Sequence, residues 1–456
     1  MARYRIKLLV LALSLILLSG CTLKYGDSLL VAPRLPEEYD QLQRQLDAIT
    51  QSGQVFLISA DTGSDRQAIQ LKDLDGDGEN EAVAFFRTES NTTQVYIFTL
   101  TESGYELVGM DEGPGYFRWV RYPRIDSSGN LGVAVARGQE ALTGVIVYRM
   151  GPGGLEKMLD TSYSQMTISD LTGDGTDELL LIHQVNALDT EERYALSIHG
   201  IKEDVYKELA NVDLCKDVRS VINIIATRGM LGRATLYVDS RAGGVGNYVT
   251  DIIEYDGTQA ANLTMDPVSG EGSLSRAQSV LSRDISGDGV PEVPVTDRSE
   301  YQDELAAAKD TRSSQLIWMA YQPGGIFERV AMTYHNVADA WYLLWPEGWG
   351  TDIYATTTTQ NYRQVTKFYH LDPDPMEMGN ELVPVPVLYI YVFTGVDREQ
   401  HYQMFSNAEN IEFLWRSQTA IYGYAVPDVV PSEYLLSSET IKGAFGNINT
   451  IYSEIY

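Results

Sequence analysis

Cysteine is almost missing from this chain of 456 residues. Only Cys21 and Cys215 occur, so no disulfide framework can hold the chain together, and stability has to come from core burial, with metal as a further source. Basic residues are scarce too. There are 34 Lys and Arg against 63 Asp and Glu, and a formal charge of −29 repels nucleic acid and anionic lipid, so no nucleic-acid partner is expected. Histidine is limited to His183, His199, His335, His370 and His401, none of them in a catalytic motif. There is no G-x-S-x-G, no metalloprotease helix and no phosphate loop. Paired carboxylates are so common in this acidic chain that none stands out for glycoside hydrolysis. The apolar stretch Leu8 to Leu18 is too short to span a bilayer as a helix, and no other stretch is long and apolar enough to do so.

What is present begins with that stretch. Arg3, Arg5 and Lys7 precede it, as in an export signal, and Leu18-Ser19-Gly20-Cys21 resembles the lipobox of bacterial lipoproteins. The resemblance implies removal of residues 1–20 and a diacylglyceryl, then palmitoyl, anchor on Cys21. The simpler alternative is a secretory signal followed by a chance cysteine. Loss of the three basic signal residues takes the charge from −29 to −32, so attachment to a membrane needs the lipid and is not electrostatic. Cys215 is expected as a half-buried small apolar residue. Residues 21–53 read as anchor, tether and a short helix from Pro36 to Ile49, with Tyr39, Leu42, Leu46 and Ile49 on one face to cap a sheet.

The most distinctive pattern is Asp73-Leu74-Asp75-Gly76-Asp77-Gly78-Glu79-Asn80-Glu81, followed by the strand-like run Ala82 to Phe86. It recurs as Asp170, Thr172, Asp174 and Glu178, and again as Asp284, Ser286, Asp288 and Glu292; a worn copy, Asp126 to Leu131, lies between the first two. Acids at positions one, three, five and nine of a glycine-relieved turn all point inward, which suits the six to eight oxygens calcium takes. Zinc is disfavoured because these loops hold no His or Cys. An EF-hand is excluded, because its bidentate acid belongs at position twelve, where Ala84 stands. The plain alternative is that Asp-Gly merely makes a turn.

Strands of period two separated by turns run from Gln54 onward, in units of some 45 to 60 residues, near the repeat length of propeller blades. The expectation is an all-β chain: a β-propeller of seven blades, six of them visible in the sequence, over residues 54–386. Residues 387–456 are expected to form either the last blade, closed by the Gln54 strand, or a cap, with a helix from Glu439 to Tyr452.

The D-L-D-G-D-G-x-x-E loop followed by an apolar strand resembles the FG-GAP and VCBS repeats of integrin-α-type propellers. The resemblance is specific in three loops and covers about residues 54 to 360. It implies calcium held by Asp73, Asp75, Asp77 and Glu81, with the carbonyl of Glu79, and by the matching residues of the other two loops, where Thr172 and Ser286 replace an acid. Tyr334, Trp341, Tyr342, Trp345, Trp349 and Tyr354 form a separate aromatic concentration, and Trp341, Trp345 and Trp349 either fill space between blades or offer a ligand a stacking surface. The expected function is a binding or scaffolding module, extracytoplasmic and lipid-anchored to a bacterial membrane, with an envelope protein or glycan as partner. An envelope glycan hydrolase or lyase with its site in the propeller channel is the alternative.

Overall fold

The computed structural model describes residues 37–448 except 52, 140–141, 187–191, 229–232, 244–246, 297–314, 323–324, 347, 351–352 and 374–381. Cys21, the signal segment and the tether lie outside these residues. The described chain folds into six antiparallel sheets of four or five strands, in chain order, the blades of a β-propeller. The second, for example, runs Tyr116–Arg121, Val133–Gln139, Leu142–Gly151 and Gly154–Tyr163, each strand pairing with the next.

The unbroken apolar runs in the inner strands follow from stacking, because both faces of a middle sheet are covered. In Glu81–Thr88, Val83 and Phe85 face the second sheet while Ala82, Ala84 and Phe86 face the other way. In Val133–Gln139, Val133 and Val135 face the first sheet and Ala134 and Ala136 the third. Leu179 and Leu181 then face the second sheet, and Leu180 and Ile182 the fourth. Each pair of consecutive sheets shares a core of this kind.

The first and sixth sheets each have one face without a neighbouring sheet in these cores, and a helix covers each. Helix α1, Glu37–Thr50, lays Leu42 and Leu46 on Ala82, Phe86, Phe98 and Tyr105. Helix α2, Arg398–Ala408, lays Tyr402 and Phe405 on Val365, Tyr391 and Phe393 of the sixth sheet. Among the described residues no strand pair and no core cluster joins the first sheet to the sixth.

Four expectations are corrected. Among the described residues there are six sheets and no seventh, because the tail strands complete the sixth: Leu382–Thr394, Ala420–Ala425 and Glu412–Arg416 join Ile353–Gln360 and Arg363–Pro373. The Gln54 region does not close that sheet; its strand, Val55–Leu57, pairs with Glu81–Thr88 in the first. Among the described residues the last helix is also shorter than expected, while 449–452 of the expected span lie outside them. Helix α3 spans Ser438–Ala444, with the Ser437 side chain capping the Thr440 N–H, and the chain then turns into the strand Phe445–Asn447, which pairs back onto Trp341–Leu344 of the fifth sheet. Cys215 is buried at 1 % exposure, deeper than expected, and its thiol donates to Asp251 Oδ1 at 2.6 Å, where burial pushes the carboxyl up.

A buried ion pair ties the fourth sheet to the segment leading to the fifth. Arg276 Nη2 lies 2.9 Å from Asp239 Oδ1 with both side chains wholly enclosed. Asp239 also accepts from Ser282 N at 2.9 Å, and Arg276 Nη1 donates to Thr250 Oγ1 at 2.8 Å and to the Pro294 carbonyl at 3.4 Å. Removing one partner strands a charge. Arg276→Met should therefore cost about 3–5 kcal/mol in denaturant unfolding, with much of it returned by adding Asp239→Leu; a single variant as stable as wild type would refute this.

His335 is buried among Thr333, Trp318, Tyr342 and Arg283, and burial first, then the Arg283 charge, lowers its pKa to about 3. A histidine held neutral in the fold takes up its proton more readily when unfolded. Its contribution is thus full above the unfolded value near 6.5 and is lost as pH falls from there toward 3. His335→Gln should flatten the decline in melting temperature over that window, and a slope identical to wild type would assign the decline elsewhere.

Candidate metal centres and their loops

Three loops share one hydrogen-bond pattern. The first aspartate accepts from two glycine amides: Asp73 from Gly76 at 2.7 Å and Gly78 at 3.1 Å, Asp170 from Gly173 at 2.6 Å and Gly175 at 3.3 Å, Asp284 from Gly287 at 2.6 Å and Gly289 at 2.8 Å. All six glycines have positive φ, from 75° to 92°, where a side chain would be strained. The aspartate at position five holds the amide at position seven, at 2.8 Å in each loop. The glutamate at position nine opens the following strand and turns back to accept from the amide at position two: Glu81 from Leu74 at 2.8 Å, Glu178 from Leu171 at 2.7 Å, Glu292 from Ile285 at 2.8 Å.

This wiring draws carboxylates together. In the first loop oxygens of Asp73, Asp75 and Glu81 lie within 4.8 Å of one another, and in the third those of Asp284, Asp288 and Glu292 do the same; either cluster could hold a metal ion. Asp77 and Glu79 stand outside the first cluster, with the Asp77 carboxylate bonded to the Glu79 N–H. Burial first, then the Asp75 and Asp77 charges, push Glu81 above the usual carboxylate range. Glu292 gives the sharper sign. It is 0 % exposed, and its Oε1 has no hydrogen-bond partner. A buried carboxylate that clusters with two further acids and has one oxygen without a donor is in the environment a bound cation relieves. Ser286, at position three, donates to Asp284 Oδ1 at 3.5 Å.

The second loop is wired alike but is met by two arginines. Arg228 Nη2 lies 2.6 Å from Asp170 Oδ2, and the same guanidinium donates to the Asp170 carbonyl. Arg124 Nη2 lies 2.7 Å from Asp177 Oδ1 and 3.6 Å from Asp170 Oδ2. Asp174 turns to the Thr176 hydroxyl at 2.6 Å, and Asp170, Asp174 and Glu178 form no metal-holding cluster among the described residues. Burial, with the charges of Asp174 and Asp170, still pushes Glu178 up to about 7. Thr172, at position three, supplies no carboxylate.

The loops also fasten neighbouring sheets. Leu131 N, in the worn copy, donates to the Leu74 carbonyl at 2.8 Å; Asp177 N donates to the Arg124 carbonyl at 2.9 Å; and Arg228 reaches the third sheet's loop from the fourth sheet. The arginines were absent from the sequence reading. Arg228 stands 58 residues from Asp170, and nothing local marks it as a partner.

Of the remaining expected site residues, Trp341, Trp345 and Trp349 take the space-filling role. Trp341 is 0 % and Trp349 6 % exposed, and Trp345 and Trp349 meet edge to face at 5.3 Å against Phe368, between the fifth and sixth sheets. His183 and His199 share the Ser197 hydroxyl at 2.8 and 3.1 Å, but Ser197 is 0 % exposed, so no substrate reaches it.

No family model and no curated protein matches this chain. Similar solved structures include a protein from Lactobacillus plantarum (9 % identity, 73 % of this chain and 94 % of that one, TM-score 0.24) and Sqt1 of Saccharomyces cerevisiae (10 %, 76 % and 93 %, TM-score 0.27). A bifunctional GH43-CE protein of Bacteroides eggerthii is another (11 %, 72 % and 45 %, TM-score 0.21). At such values the likenesses say nothing of activity or partner, and the β-propeller rests on the sheets themselves.

If guanidinium groups stand in for a metal at Asp170, replacing Arg124 and Arg228 together by Met should raise by one the calcium ions counted by native mass spectrometry. An unchanged count would mean that the arginines do not keep a metal out of this loop.

Proposed function

We propose that this protein is a lipid-anchored, extracytoplasmic binding or scaffolding module of the bacterial envelope, whose FG-GAP/VCBS-like propeller is stiffened by calcium in the Asp73 and Asp284 loops. The observation that carries the metal is the buried, unpartnered Glu292 oxygen within a carboxylate cluster, together with the same wiring around Asp73. Asp73, Asp75 and Glu81, and Asp284, Asp288 and Glu292, would supply the ligands; bound calcium offsets their mutual repulsion and locks the turn. The anchor is supported by the Leu18-Ser19-Gly20-Cys21 stretch after its basic and apolar segments. A binding role agrees with a fold of six blades in which the one serine placed between histidines is sealed from solvent.

Chelation should lower the melting temperature by on the order of 5 °C, from a site stabilisation of ~2–3 kcal/mol when calcium exceeds its Kd about a hundredfold. Asp75→Ala should abolish about half of that drop, and Asp75→Ala with Asp288→Ala all of it. Equal melting with and without chelator would leave the loops as plain turns. For the anchor, labelled palmitate should enter the wild-type protein and not Cys21→Ala; label in neither would sink the lipoprotein reading.

A further inference from the structure

His183 and His199 belong to neighbouring strands of the third sheet, Glu178–Asn186 and Glu192–Lys202. Ser197 pairs directly with Leu181, which shares a core with Met158 and Trp119 of the second sheet, and His183 lies two residues beyond Leu181 on the same face. The group therefore sits in the seam between the two sheets. Across that seam His183 donates to the Ser162 carbonyl of the second sheet's strand Gly154–Tyr163.

A hydroxyl carries one proton, and that decides the wiring. Both rings present Nε2 to Ser197 Oγ, at 2.8 Å from His183 and 3.1 Å from His199, so Ser197 can donate to only one of them. His183 commits its Nδ1 proton to the Ser162 carbonyl, which leaves its Nε2 a bare acceptor for the Ser197 proton. Ser197 in turn accepts from His199 Nε2. His199 Nδ1 is then a lone pair, buried and without a partner among the described residues.

One added proton has a place in this chain. It settles on His183 Nε2 while Ser197 turns its hydroxyl to the Leu181 carbonyl, 3.4 Å away, and accepts from both rings. A second has none. It would put a buried N–H without an acceptor on His199 Nδ1, in a cation facing another cation across a single hydroxyl. Among the described residues Glu208, on the adjoining strand Val205–Asp213, is the one carboxylate that acts on both rings, and its one negative charge cannot answer two positive ones. Burial lowers the pKa of each histidine, Glu208 raises it, and a charge on His183 lowers His199 further.

We propose that His183, Ser197 and His199 form an acid-sensitive latch on the seam between the second and third sheets, closed while either ring is neutral and opened locally when both are charged. Rings held neutral in the fold stabilise the seam fully above the unfolded value near 6.5, and that contribution is lost as pH falls below it. The latch goes beyond the binding-module reading and needs neither its metal nor its anchor. The test is hydrogen–deuterium exchange of the full chain in detergent at fixed calcium, at about pH 7.5 and about pH 5, corrected for the intrinsic pH dependence of amide exchange. Peptides from Gly154–Tyr163, Glu178–Asn186 and Glu192–Lys202 should exchange at least about tenfold faster at the lower pH, while the fifth sheet, where His335 is still neutral, does not change. His199→Gln, which cannot take up the second proton, should lose the acceleration although Glu178, titrating near 7 in the same sheet, is left in place. Exchange of the histidine C2 hydrogens in the wild-type protein needs no variant, and should show the pair titrating in two steps at least about one pH unit apart. The proposal is overturned by exchange that does not accelerate, by acceleration spread over all the sheets, by acceleration that survives in His199→Gln, or by a single titration step for both rings.

Discussion

An aspartate that accepts from two glycine amides of its own loop is the arrangement on which the organisation of this molecule depends. It fixes the turn between the first strands of a sheet, and it forces the glycines to positive φ. The glutamate at position nine completes the turn by tying the opening of the next strand to the amide at position two. Backbone amides thereby hold carboxylates close together, and the charge so gathered has to be met from outside the loop. Hydrogen bonding shapes these turns, and electrostatics then decides what each turn must recruit.

The chain meets that demand in more than one way. At Asp73 and Asp284 three carboxylates converge, and in the latter a buried oxygen is left without a donor. At Asp170 a guanidinium from the next sheet arrives instead, at 2.6 Å, and the same contact becomes a fastening between sheets. Elsewhere the wholly buried Arg276–Asp239 pair serves as a fastening without any acidic loop, between the fourth sheet and the chain entering the fifth.

What the sequence made legible is what is encoded over short distances. The acidic loops, their glycines and the strands after them fall within nine residues of one another, so their spacing is visible without a structure. The paired faces of Ala82 to Phe86 are encoded as a continuous apolar run for the same reason. The sixth sheet was harder to count, because its strands lie on both sides of a proline-rich stretch and of helix α2, so the later ones passed for a blade of their own. Arg228, Arg276 and the Cys215–Asp251 contact were invisible, since each partner lies 36 or more residues away. The tryptophans carried an ambiguity that only burial decides: a ring suited to a ligand is equally suited to the gap between two sheets.

The strand Phe445–Asn447 returns from the end of the described chain to the edge of the fifth sheet, passing over the sixth on its way. During synthesis the first four sheets can therefore be completed in the order in which they emerge. The fifth cannot; its outer edge stays open until residues 445–447 have been made. The last two sheets must consequently mature together, and a nascent chain stalled short of residue 445 would display an unpaired strand edge at Trp341–Leu344, the kind of surface on which chains aggregate and chaperones act.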